Sequence, residues 1–146
     1  MKRSLCVLTM AASMLVIAPL AHATVITYYA DLNGLNESPP NGSRGFGSAT
    51  VSTDDVAHTM SIHFTFAGLI GTTTAAHIHC CTAVPSTGTA GVATTTPFFA
   101  GFPLGVTSGS YDVLLDMTLA SSYNPAFVTA HGGTTAGAEG FLFAGM

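Results

Sequence analysis

Beyond residue 23, apolar and polar positions alternate along much of the chain. The clearest case is Thr59–Ala67. Met60, Ile62, Phe64 and Phe66 share one face, and Ser61, His63 and Thr65 share the other. That spacing predicts a half-buried strand with one wet face. Val25–Asp31 is rich in β-branched and aromatic residues and reads as an earlier strand. Gly47–Thr53, Thr74–Cys80 and Ser110–Leu119 are further candidates, the last with Tyr111, Val113, Leu115 and Met117 opposite Asp112 and Asp116. Turn residues separate them: Asn33-Gly34, the Pro/Gly-rich run 37–45, Asp54-Asp55 and Gly68–Gly71. Residues 82–109 are irregular, with Pro85, Pro97 and Pro103, and Phe98, Phe99 and Phe102 are expected to plug the core or cover a sheet edge. Short helices are expected only at Asn124–Val128 and Gly137–Phe143, divided by Gly132-Gly133. Several short strands with frequent turns predict an all-β sandwich or partial barrel.

The N-terminus departs from this pattern. Lys2 and Arg3 precede an apolar run from Leu5 to Ala18, then Pro19 and a small-x-small site at Ala21-His22-Ala23. This is the layout of a secretory signal peptide. The run falls short of the ~20 apolar residues of a spanning helix. The expectation is a cleaved signal at residues 1–23, no transmembrane segment afterwards, and a single domain over 24–146, secreted or periplasmic.

Cleavage changes the charge more than the length. Arg44 becomes the one strong cation against seven carboxylates. Nucleic-acid binding needs clustered Lys and Arg, and so does polybasic membrane contact; both are excluded. Cys80 and Cys81 are the only cysteines left. Being adjacent, they offer a vicinal disulfide, free thiols, an intermolecular bridge or metal ligation, and no disulfide framework.

His77-Ile78-His79 is the most specific local chemistry. On an extended strand, alternate side chains share a face with Cα atoms ~6.5–7 Å apart. Two imidazoles there can converge on one ion, and imidazole suits Cu or Zn. Further ligand candidates are Cys81, on the same face, and His63, if its strand pairs with Thr74–Cys80. The alternative is a polar pocket in which both rings bond the neighbouring loop. His58 and His131 are expected to be solvated. Gly-x-Ser-x-Gly is absent, as is a recognisable local Cys–His signature.

Leu32-Asn33-Gly34-Leu35-Asn36-Glu37-Ser38-Pro39-Pro40, Gly45-Phe46-Gly47-Ser48-Ala49, Phe66-Ala67-Gly68-Leu69 and Thr74-Ala75-Ala76-His77-Ile78-His79 together resemble the CHRD (chordin-type) domain. The stretch Phe102–Tyr111 resembles its exported bacterial form. The likeness covers essentially all of Thr24–Met146. It implies an immunoglobulin-like β-sandwich or barrel with limited similarity to copper–zinc superoxide dismutase. In that similarity His77 and His79 match copper ligands. The remaining ligands and the guiding arginine have no counterpart, so no dismutase activity is implied. CHRD domains usually close with a Tyr-x-Asn-x-His-Thr strand and a Gly-Glu-Ile-Arg-Gly strand. This chain stops at Phe141–Met146, so a C-terminally incomplete domain is expected. The reading is a non-enzymatic, extracytoplasmic binding or structural module with a protein or matrix partner; the alternative is a Cu or Zn domain built on the His-x-His strand.

Overall fold

A computed structural model describes residues 24–84 and 87–146. The expected signal peptide lies outside the described residues. Four strands form one antiparallel sheet in the order of the chain: β1 (Val25–Asn33), β2 (Phe46–Asp54), β3 (Thr59–Ala67) and β4 (Gly109–Asp116). The molecule is therefore mostly β, as the alternation predicts. Asn33 ends β1 by accepting from the backbone N–H of Leu35 and Asn36, which turns the chain into a short 3-10 segment. At the end of β3, Gly68 takes φ +68°, a left-handed conformation open to glycine at little cost.

The register fixes two faces. Met60 lies opposite Thr53 and Leu115, Ile62 opposite Val51 and Val113, and Phe64 opposite Ala49 and Tyr111. This inner face carries the core, where Met60, Ile62 and Tyr111 are buried. Phe99 and Phe102, from the irregular β3–β4 connection, fill it as expected. The Tyr111 hydroxyl donates to the Ala100 carbonyl at 2.5 Å, and burial raises its pKa. The outer face is wet and rich in hydroxyls.

No second sheet stands over the core among the described residues. Its cover consists of extended segments joined by isolated bridges, plus two helices, α1 (Pro125–Ala130) and α2 (Thr135–Gly145). Thr134 caps α2 by accepting from the Gly137 N–H. The helix consequently starts earlier than the Gly137–Phe143 expectation and buries Ala138, Glu139 and Leu142. Thr74–Cys80 is extended but joins no ladder. Ala76 bridges Phe98 and His79 bridges Val92. β3, with β2 on one side and β4 on the other, has no edge left to offer it.

Candidate functional site

The His-x-His segment is held along one edge by the loop at 90–99. Ala76 N–H donates to Pro97 O, Cys80 N–H to Gly91 O, and Ala93 N–H to Ile78 O. The Ile78 N–H donates to Thr94 Oγ1 at 2.8 Å, and Thr94 is fully buried. Extended geometry sends Ala76, Ile78 and Cys80 toward the core and leaves His77 and His79 together on the other side. The alternation read from the sequence thus positions the pair.

The two rings face each other. His77 Nε2 lies 3.1 Å from His79 Nε2. Each ring is also anchored at its other nitrogen: His77 Nδ1 lies 3.0 Å from Pro97 O, and His79 Nδ1 lies 2.7 Å from Ala90 O. A carbonyl oxygen only accepts, so each Nδ1 carries the proton. In the neutral ring that leaves each Nε2 as a bare lone pair. Two lone pairs at hydrogen-bond distance repel unless a cation lies between them. Metal-bound histidines use the same arrangement, with one nitrogen ligating and the other donating to a carbonyl or carboxylate. Two nitrogens held side by side on one Zn or Cu ion at about 2.0–2.1 Å each would keep a separation of this size. The donor set therefore fits a borderline metal ion as two neighbouring ligands.

The other ligand candidates are elsewhere. His63 is on the outer face of β3, opposite Thr50 and Asp112. Inner-face residues Ile62 and Phe64 line the groove beside His77, so the sheet separates His63 from the pair. His63 Nδ1 lies 2.6 Å from Asp112 Oδ1. Cys81 is joined to Cys80 as a vicinal disulfide, one of the four states open from the sequence. Among the described residues, no group of three or more His, Cys, Asp or Glu is placed to hold an ion. His77 and His79 are the donors the chain brings together, and further positions around an ion are open to solvent or a partner. The pair sits between an apolar groove of about 250 Å³, walled by Leu32, Val51, Ile62, Phe64 and Phe99, and a cavity of about 460 Å³ lined by Glu37, Cys81 and Thr82.

Two histidines read as solvated are not free. His58 Nδ1 lies 2.9 Å from Glu139 Oε1, tying the β2–β3 turn to the buried Glu139 of α2. The Glu139 hydrogen bond and charge raise the His58 pKa. The partners are 81 residues apart, so no local pattern marks them. His131 caps α1 and stacks on Phe141 at 3.7 Å between centroids. Asp116 accepts from the Thr118 hydroxyl and N–H, which lowers its pKa. Burial, with the charges of Glu139 and Asp116, raises the Tyr123 pKa, and the Tyr123 hydroxyl donates to Met117 O.

Among the described residues, no helix is long and apolar enough to cross a membrane. No curated protein and no solved structure matches the chain. The model of the CHRD domain matches residues 28–138. That span holds most of β1, all of β2, β3 and β4, and the His-x-His segment. On this match, which takes in well over half of its residues, the chain belongs to the CHRD domain family.

Proposed function

We propose that this CHRD domain is an exported, non-enzymatic binding module and that His77 and His79 give it a site for one Cu or Zn ion. The observation that carries the metal reading is the facing Nε2 pair, with both Nδ1 protons committed to backbone carbonyls. The resemblance to copper–zinc superoxide dismutase supports the same two positions. The open coordination sphere suits capture of an ion or its sharing with a partner. The sequence supplies no nucleophile, base and orienter set for catalysis. The signal-like N-terminus supports export, where a matrix or envelope protein would be the natural partner.

Calorimetric titration with Zn(II) and Cu(II) tests this. Uptake of one ion per chain at micromolar concentration is expected, lost when His77→Ala and His79→Ala are combined. Binding should weaken on acidification, because a proton competes with the metal ion for the Nε2 lone pairs. No uptake at that concentration, or uptake equal in the double variant, refutes the metal reading.

A further inference from the structure

A second candidate site lies on the opposite side of the sheet, independent of the histidine pair. The outer-face register aligns Tyr29, Thr50, His63 and Asp112 directly across the four strands. At about 4.8 Å per strand, the row runs roughly 14 Å from Tyr29 to Asp112. Tyr29 is the aromatic member and stands 80% exposed. A ring that size on an open sheet face keeps its apolar surface in water, which is unfavourable unless something covers it. Beside it is a shallow depression of about 270 Å³, lined by Tyr29, Asp31, Ser48 and Thr50.

The surroundings narrow the chemistry. Next to Tyr29 the side chains are short hydroxyls, and Thr27 Oγ1 lies 2.8 Å from Ser52 Oγ. A flat ligand can therefore lie close to the sheet. At the far end of the row, Asp112 holds the His63 ring by Nδ1, which fixes its direction. No Lys or Arg occurs on any of the four strands, while Asp31 and Asp112 put carboxylates on this face. The charge repels a sulfated or phosphorylated polymer. It favours a neutral ligand whose hydroxyls donate to carboxylates and whose C–H face lies on an aromatic ring.

We infer that the outer face of the sheet is a platform for a neutral polysaccharide, with Tyr29 as the stacking ring and Asp31, Ser48 and Thr50 as hydrogen-bonding partners. A module that binds neutral glycan is suited to an envelope or matrix setting. The inference does not depend on metal at His77 and His79.

Affinity electrophoresis tests it. The purified protein is run through native gels containing hydroxyethylcellulose, galactomannan, xyloglucan or glycol chitin, and through one containing dextran sulfate. Retardation in at least one neutral gel is expected. Tyr29→Ala should weaken it about tenfold, and Tyr29→Trp should keep it. The combined His77→Ala, His79→Ala variant should migrate as the wild type does, so failure of the metal reading leaves this result intact. Circular dichroism of the Tyr29→Ala variant, whose side chain touches little, checks that the fold is kept. Free migration in every neutral gel overturns the inference. So does equal retardation of Tyr29→Ala, or retardation confined to dextran sulfate, which would mark an anionic ligand.

Discussion

The domain holds two kinds of histidine pair, and they differ in what completes them. At the β2–β3 turn and on the outer sheet face, imidazole meets carboxylate: His58 with Glu139, and His63 with Asp112. On the other side of the sheet, imidazole meets imidazole: His77 with His79. An imidazole–carboxylate pair is complete within the chain, because the ring N–H donates to an anion. The imidazole pair has spent both ring N–H groups on the carbonyls of Pro97 and Ala90. What faces inward is two lone pairs, and only a cation from outside satisfies both. A proton and a metal ion compete for that role, so acidity and metal should act on this pair in opposition.

The largest effect is expected at the residue that holds the imidazole pair in place. Thr94 is fully buried and its hydroxyl accepts from the Ile78 N–H between the two histidines. Thr94→Val keeps the shape and removes that acceptor. Leaving the N–H unsatisfied should cost about 1–3 kcal/mol in urea denaturation. The histidine segment should loosen with it, weakening Zn(II) about tenfold in the same titration. Among the described residues no hydrogen bond joins Thr94 to His58 or Glu139, so that contact should be kept.

A smaller effect is expected at the His58–Glu139 pair. The folded-state pKa of His58 is raised above its ordinary value of 6.5. Its contribution to stability is therefore fully present below about 6.5 and fades as pH rises through the raised value. A melting profile against pH should lose this component on the alkaline side of neutrality in the wild type. The loss should be absent in Glu139→Gln, which removes the anion that raises the pKa. Equal profiles for the two proteins would mean that the pair does nothing for stability. The His58 ring is half exposed, so the shift in melting temperature should be modest.

Much of this architecture is legible in the sequence, for a physical reason. Strict alternation at Thr59–Ala67 leaves one register that turns Met60, Ile62 and Phe64 together toward the core, the first two buried and Phe64 partly so, and β3 has those bounds. The His-x-His spacing likewise places both rings on one side of an extended segment wherever that segment lies. The neighbours of that segment are not legible. Thr74–Cys80 reads as a strand, yet Pro97, which lacks an N–H, sits in the loop that flanks it, and only isolated bridges form. The carbonyls that set both tautomers come from that loop, which carries no periodic signal. His58–Glu139 depends on a helix packing against a distant turn, and only tertiary structure brings them together.

Both imidazoles carry their proton on Nδ1 and present bare Nε2 atoms to a shared cation. Nitrogen-15 NMR of the histidine rings above pH 8 reads this directly, because protonated and bare ring nitrogens differ widely in chemical shift. Nδ1 of His77 and His79 should be protonated and both Nε2 atoms bare, and added Zn(II) should move both Nε2 signals together while His63 stays in place. A proton resident on either Nε2, or Nε2 signals indifferent to Zn(II), would contradict it.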